Sequence, residues 1–130
     1  MLLEPELFAR HLAQAPEGGV RDAFLAFAHA DYPGGLTARP TSKGFIEHDL
    51  RIEGGGNWYF SAVLNQGWVL WYFRKPAFRD GLTGFDATRA AFPDSKVSPS
   101  REITLRVRNA EAARAVIDHL NRIDSSAPKT

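Results

Sequence analysis

One stretch of the sequence, residues 58 to 75, holds most of the large aromatic side chains and strongly limits how the chain can fold. It contains all three tryptophans and two of the three tyrosines. Large apolar residues alternate on both sides of Asn65, Gln66 and Gly67, and aromatic and β-branched residues are frequent. This pattern is typical of two antiparallel strands joined by a tight turn. We therefore predict a β-hairpin with its turn at these three residues.

The number of residues in the turn decides which side chains share a face of the hairpin. A turn of two or four residues gives one apolar face, made of Trp58, Phe60, Ala62, Leu64, Val69, Trp71 and Phe73. The other face then carries Tyr59, Ser61, Val63, Asn65, Trp68, Leu70, Tyr72 and Arg74. A three-residue turn, with Gly67 in the left-handed conformation, would shift the faces of one strand relative to the other. We favour the first register because it gathers the polar side chains on one face.

Four other segments show helical periodicity. Residues 3–14 and 20–30 carry apolar stripes bounded by proline and glycine, which predicts two helices that pack as a hairpin. Residues 85–92 fit one short helix, with Thr83 as a candidate N-cap. Residues 110–123 fit a longer closing helix, with Asn109 as its N-cap, because an Asn or Thr side chain can accept a bond from a free N–H at a helix start.

Three strands are predicted outside the hairpin. Residues 36–40 suit an edge strand, because Pro40 cannot donate to a sheet ladder. The segment 44–53 alternates, with Leu50 and Ile52 facing the core and Asp49 facing water. Residues 101–107 form the last strand, and its outward side continues to the basic residues Arg106 and Arg108.

Together these elements predict an α+β fold. We expect a single antiparallel sheet of four to five strands, with an N-terminal helical hairpin and a C-terminal helix packed on one face. Residues 1–124 are expected to form a single globular domain, and residues 125–130 a frayed tail. The sequence leaves open whether the long connection 76–100 covers the outer face of the hairpin.

Composition narrows the classes of function. The chain has no cysteine, which excludes disulfides, thiol catalysis and cysteine metal sites. Its first residues lack a basic n-region and a long apolar run, so we expect a cytoplasmic protein with no membrane contact. The net charge is only +1. Basic residues are nevertheless concentrated in residues 74–108, where eight basic residues face four acidic ones, a distribution that suits an anionic partner.

Catalysis is the function class that the motifs support least. Glu47, Asp49 and Glu53 share one side of a strand, as the ligands of a hard metal ion would. Arg51 lies among them, and alternating charge on a solvent-facing strand explains the pattern fully. Zinc-ligand spacing, a serine-nucleophile elbow and a dinucleotide fingerprint are all missing. We therefore expect no catalytic residue, no metal and no cofactor, and keep a metal-dependent hydrolase using Glu47 and Asp49 as a third hypothesis.

Binding is the function class that the residue pattern favours. Aromatic side chains on a sheet stack on unpaired bases, and neighbouring basic side chains follow the phosphate backbone. The candidate binding residues are Tyr59, Trp68, Tyr72, Arg74, Lys75, Arg79, Arg106 and Arg108. A noncatalytic nucleic-acid-binding domain is marginally favoured. The same aromatic and arginine residues also suit a protein partner or self-association, as in an inhibitor, an immunity protein or a homodimer subunit.

Overall fold

Two helices precede the strands, two short helices lie between them, and one long helix follows them. The computed structural model describes residues 1–15, 17–43 and 46–126. The helices are α1 (Pro5–Leu12), α2 (Gly19–His29), α3 (Lys75–Arg79), α4 (Phe85–Ala91) and α5 (Ala110–Ser126), with a 3-10 turn at Pro33–Gly35. The strands are β1 (Thr37–Lys43), β2 (Ile46–Gly54), β3 (Asn57–Leu64), β4 (Val69–Phe73), β5 (Lys96–Val97) and β6 (Ile103–Val107).

The described strands form one antiparallel sheet in the order β1-β2-β3-β4-β6-β5. The α+β class and the single antiparallel sheet are confirmed. The sheet has six strands, one more than the largest predicted number. The additional strand is β5, which is only two residues long, and a periodicity of two cannot be recognised in so short a segment.

The favoured register of the hairpin is confirmed. Phe60 pairs with Phe73, and Leu64 pairs with Val69, so the turn has four residues. It is closed by the Asn65 N–H, which donates to the Trp68 carbonyl at 2.9 Å. Gly67 does not have the positive φ that the three-residue turn would require.

A β-bulge at the start of β3 reverses the predicted faces of Trp58 and Tyr59. Ile52 pairs with Phe60 but Glu53 pairs with Trp58, which leaves Tyr59 as an extra residue. An extra residue turns the side chains before it to the opposite face. The outer placement of Tyr59 was therefore wrong: its side chain is buried in the core and its hydroxyl donates to Asp80 at 2.7 Å.

The apolar side of the sheet, which we call the inner face, is covered by α2 and α5. Phe27 of α2 stacks on Trp71, with ring centroids 4.4 Å apart, and Trp71 also stacks on Phe60 at 5.5 Å. His119 of α5 meets Phe73 edge-on at 6.4 Å. These aromatic side chains are almost completely removed from water, and such burial is the main stabilising contribution to a fold of this size.

The connection between β4 and β6 packs beside the inner face. Phe92, which directly follows α4, stacks on Phe73 at 6.0 Å and meets His119 at 5.3 Å. Ala77 of α3 is fully buried. The short helix predicted over residues 85–92 is thus present as α4, but the predicted cap is wrong. Thr83 makes no cap bond, since its hydroxyl lies 2.9 Å from the Thr88 hydroxyl and 3.3 Å from His119 Nε2.

β1 is an edge strand of the sheet, as predicted from Pro40. The Ala38 N–H donates to the Met1 carbonyl, away from β2. Pro40, two residues later, therefore also has its nitrogen on the side away from β2, where a missing N–H costs no ladder bond.

Asn109 Oδ1 accepts from the Ala112 N–H at 2.8 Å, which confirms the predicted N-cap of α5. The predicted frayed tail overlaps the last two residues of α5, and its remainder, 127–130, lies outside the described residues. In the part of the chain that is described, every helix is too short or too polar to span a membrane.

We expect His119 to make stability depend on pH. Burial, and then the nearby Arg122, lower the pKa of His119 below 6.5. Below pH 6.5 the unfolded chain takes up a proton that the folded protein resists, so stability falls as the pH drops towards the folded pKa. In His119→Gln this part of the decrease should vanish, which denaturant unfolding at a series of pH values would measure. A variant that keeps the full wild-type decrease would contradict this assignment.

Candidate binding surface on the outer face of the sheet

The side of the sheet opposite α2 and α5, which we call the outer face, carries most of the polar strand residues. The pairing places Ser61 beside Tyr72 and Tyr72 beside Thr104. It also places Val63 beside Leu70 and Leu70 beside Arg106. Phe92 makes its aromatic contacts on the other side of the sheet, and the last part of this connection, with Asp94 and Lys96, borders the outer face at the edge of β6.

Ion pairs neutralise the middle of the outer face. Arg39 Nε lies 2.5 Å from Glu53 Oε1. Arg51 Nε lies 3.5 Å from Asp49 Oδ2. On the far side of Trp58, Arg74 Nε lies 3.4 Å from Glu102 Oε2. Each described pair balances one positive with one negative charge, so this region offers little net attraction to a phosphate backbone.

Trp58 is held between two arginines. The guanidinium carbons of Arg51 and Arg74 lie 3.7 Å and 3.8 Å from its ring centroid. Two guanidinium groups this close to the ring cannot share one side, so they occupy opposite faces in cation–π contact. The Trp58 Nε1–H donates to the Ser61 hydroxyl at 2.8 Å. Neither face of this indole is therefore free to stack on a ligand.

A groove at the turn end of β4 and β6 has a different character, and we call it the Trp68 groove. It has a volume of about 630 Å³ and passes from the outer face around the free edge of β6 to α5. Its lining residues are Asn65, Trp68, Leu70, Phe92, Asp94, Lys96, Thr104, Leu105, Arg106, Arg108, Ala112 and Ala115. The Arg106 guanidinium lies over the half-buried Trp68 ring, 4.2 Å from its centroid. Asp94 is the one acidic side chain in this lining, against three basic ones. None of the three basic residues forms an ion pair with another described residue.

The edge of β6 is open where it borders the Trp68 groove. β5 pairs only with Ile103 and Thr104. The Glu102 carbonyl accepts from the Ser98 N–H and so points away from β4. By the period of two along a strand, the backbone N–H and carbonyl of Arg106 point the same way. The groove therefore offers backbone hydrogen-bonding groups as well as basic side chains.

A smaller cavity of about 200 Å³ lies on the outer face next to the Trp68 groove, and we call it the Asp49 cavity. Its walls are Asp49, Trp58, Ser61, Val63, Tyr72, Arg74 and Glu102. Asp49 was predicted to face water, and this is wrong: it points to the outer face but is only 2% exposed. The alternation of a strand shows the face of a side chain but not what covers it.

The carboxylate of Asp49 is only partly satisfied. Its Oδ2 lies 3.5 Å from both the Thr41 hydroxyl and Arg51 Nε. Its Oδ1 is buried and makes no hydrogen bond of normal geometry with a described residue, although the Ser61 hydroxyl lies close enough to the carboxylate to oppose the rise of its pKa. Burial raises the pKa of Asp49, against the opposing effect of Arg51. Burial also raises the pKa of Tyr72, with smaller contributions from Glu102 and Asp49.

Five of the eight predicted binding residues lie along this surface. Trp68, Arg106 and Arg108 line the Trp68 groove, and Tyr72 and Arg74 line the Asp49 cavity. Lys96 was not among the predicted binding residues, although it lies in the predicted basic segment 74–108. The burial of Asp49 was not predicted, because nothing in the sequence of a single strand reveals it.

The other three predicted residues lie elsewhere. Tyr59 and Arg79 both bind Asp80, with 2.7 Å from Tyr59 Oη to Oδ2 and 2.7 Å from Arg79 Nε to Oδ1. Hydrogen bonds from Arg79 and then Tyr59 lower the pKa of Asp80 to about 2. Lys75 is exposed at the first residue of α3 and lines neither the groove nor the cavity. These residues form a local cluster around α3.

The strand carboxylates that a metal site would use are engaged differently. Asp49 and Glu53 each pair with an arginine, and the side chain of Glu47 lies outside the described residues. Within the described part of the chain, no three histidine or acidic side chains are grouped so that they could hold a metal ion.

Comparison with protein-family models, with curated proteins and with solved structures gave no significant match to this chain. Arguments about function therefore depend on the chemistry of its own surface.

Proposed function

We propose that this chain is a noncatalytic domain that binds single-stranded nucleic acid in the Trp68 groove. The observation that carries the proposal is the position of Trp68, half-buried at the free edge of β6 beside three basic residues that form no ion pair with another described residue. Aromatic residues beside a basic groove are the shared feature of surfaces that bind single strands with little sequence preference.

Trp68 supplies the stacking surface in this proposal. A base that stacks on an exposed aromatic side chain contributes about 1–3 kcal/mol. Arg106 already lies over the indole at 4.2 Å, and its planar guanidinium can stack on a base in turn. Trp58, between two guanidinium groups, does not contribute a second platform.

Lys96, Arg106 and Arg108 supply the phosphate contacts. Each contact releases counterions, so affinity falls as the salt concentration rises. In a plot of the logarithm of affinity against the logarithm of salt concentration, each contacted phosphate should contribute a slope of about −0.7. Three contacts give a slope of roughly −2. The ion pairs in the middle of the outer face add little to this slope, because their charges are already balanced.

The test is the binding of fluorescently labelled single-stranded and double-stranded oligonucleotides, followed by anisotropy at several salt concentrations. Trp68→Ala should weaken binding of the single strand by about 1–3 kcal/mol. Arg106→Ala combined with Arg108→Ala should also weaken it and reduce the salt slope by about 1.4. Arg10→Ala is the matched control, because it removes one exposed positive charge from α1, which packs beside β1 at the opposite edge of the sheet.

Two results would contradict the proposal. One is no measurable binding of any single strand at low salt. The other is binding that Arg10→Ala weakens as much as the groove variants do, since that would indicate unspecific attraction to positive charge. Circular dichroism of each variant must match the wild type before its affinity is interpreted.

A protein partner is the second candidate, favoured by the charge balance at the centre of the outer face and by the open edge of β6. A partner strand could pair with the Arg106 backbone, as in recognition by β-strand addition. Such an interface would be much less sensitive to salt than a phosphate contact. Self-association through this edge would appear as a dimer in sedimentation at low and high salt alike, and Arg106→Pro, which removes the edge N–H, should abolish it.

A further inference from the structure

The Asp49 cavity has no role in the binding proposed above, yet it opens on the same face of the sheet. Leu70 lines the Trp68 groove and Tyr72 lines the cavity, and these two side chains are successive outer-face residues of β4. Trp68 and Tyr72 are four residues apart, which is about 14 Å along an extended strand. One flexible chain could therefore reach both places.

The unpartnered oxygen of Asp49 makes the cavity suitable for a hydrogen-bond donor. Asp49 is only 2% exposed, and Oδ1 makes no hydrogen bond of normal geometry with a described residue, the nearby Ser61 hydroxyl included. A buried carboxylate oxygen without a donor is costly, because burial removes the water that would otherwise bind it. An ionised carboxylate only accepts hydrogen bonds, so the group that satisfies Oδ1 must carry an N–H or O–H.

The rest of the cavity suits a planar polar ring. Its volume of about 200 Å³ is of the size of one nucleobase, and its walls combine Tyr72 and Val63 with the polar Ser61 and Arg74. Glu102 adds a second carboxylate, which is partly used by Arg74. Guanine presents two adjacent donors, N1–H and the N2 amino group, on the edge that proteins read in unpaired bases. No other common base presents two neighbouring donors to a carboxylate.

We propose that the Asp49 cavity binds a guanine base, with Asp49 Oδ1 accepting a hydrogen bond from its Watson–Crick edge. This inference rests on the proposed function, because the guanine would belong to the strand that lies in the Trp68 groove. Asp49 is then the residue that gives an otherwise sequence-tolerant surface a preference for one base. A free guanine nucleotide has the same chemistry and is distinguished below.

The test compares three single strands on the wild-type protein, so it does not depend on the folding of a variant. They are a short oligouridine, the same strand with one central guanosine, and the same strand with inosine in that place. Inosine keeps the N1–H of guanine but lacks the N2 amino group. We expect the guanosine strand to bind about ten times more tightly than oligouridine, with inosine between them.

Asp49→Asn tests the residue itself. The Arg51 guanidinium lies 3.5 Å from Asp49 Oδ2, so its positive charge should keep the amide oxygen on that side and leave the NH₂ towards the cavity, where it opposes the guanine donors. The guanosine preference should disappear while binding of oligouridine is unchanged. Asp118→Asn, an exposed change on α5, is the control.

The outcomes separate this inference from the proposed function. Equal affinity for all three strands overturns the guanine pocket but leaves binding in the Trp68 groove intact. If no strand binds but guanosine monophosphate does, and Asp49→Asn abolishes this, the pocket is supported with a free nucleotide as its ligand and the proposed function fails. If neither the strands nor the mononucleotide binds, both are overturned.

Discussion

Replacing Trp71 with alanine is expected to lower the free energy of unfolding by about 3–5 kcal/mol. Trp71 is fully buried at the centre of the inner face and stacks on Phe27 and Phe60. Its stacking partners lie on α2 and on the neighbouring strand β3, so the cavity left by alanine cannot close unless these two elements move towards each other. Denaturant unfolding followed by circular dichroism measures the loss, since fluorescence would change with the number of tryptophans.

Trp71→Phe distinguishes the contribution of ring packing to stability from the effect of the buried indole N–H. The Trp71 Nε1–H is buried and has no acceptor among the described residues. Such an unpaired donor costs about 1–3 kcal/mol, and phenylalanine removes it while keeping an aromatic ring in the same place. The loss should therefore be about 1 kcal/mol or less. If phenylalanine destabilised the protein as much as alanine does, the shape of the indole would matter far more than the stacking contacts indicate.

The hairpin and the helices could be predicted because their signals are local. The register of β3 and β4 followed from sorting apolar and polar residues onto two faces, and a four-residue turn satisfies that sorting. The N-cap at Asn109 followed from a side-chain oxygen placed before an apolar stripe. In each case the residues that decide the structure are neighbours along the chain.

The features that the sequence did not reveal depend on residues far apart in the chain. The bulge at Tyr59 is explained by contacts with residues far along the chain. The Tyr59 hydroxyl donates to Asp80, and the Trp58 ring packs between Arg51 and Arg74. Thr83 was expected to cap a helix, but α4 begins one residue later and Gly84 is at the N-cap position. The Thr83 hydroxyl instead lies beside His119, which is 36 residues away.

For the candidate site, the residue types could be predicted from the sequence but their positions relative to one another could not. Trp68, Arg106 and Arg108 were recognised from residue type, because an aromatic side chain and basic side chains keep their chemistry wherever they lie. Their meeting in one groove depends on the pairing of β4 with β6 across 29 intervening residues. The cavity that Asp49 lines is formed by residues of β2, β3 and β4, with Trp58 and Tyr72 among its walls, so the surroundings of this carboxylate are known only from the folded chain.

A single methyl group at Gly19 should be nearly as damaging as the loss of a core side chain. A Cβ atom at Gly19 would overlap the backbone carbonyl oxygen of Arg108, which precedes α5. Backbone atoms that are fixed by their neighbours cannot move aside as the end of a flexible side chain can. Gly19→Ala should therefore cost about 3 kcal/mol, the upper part of the range for overpacking, as measured by thermal or denaturant unfolding.

Gly67→Ala is the matched control for Gly19→Ala. Gly67 has no atom within 4 Å of an added Cβ and does not have a positive φ. Alanine there restricts the unfolded chain without straining the folded one, so stability should stay the same or rise by about 0.4–1 kcal/mol. If Gly19→Ala were as harmless as Gly67→Ala, the close approach of α2 to the end of β6 would not exist in solution. The packing of α2 against α5, which closes the inner face, would then need a different explanation.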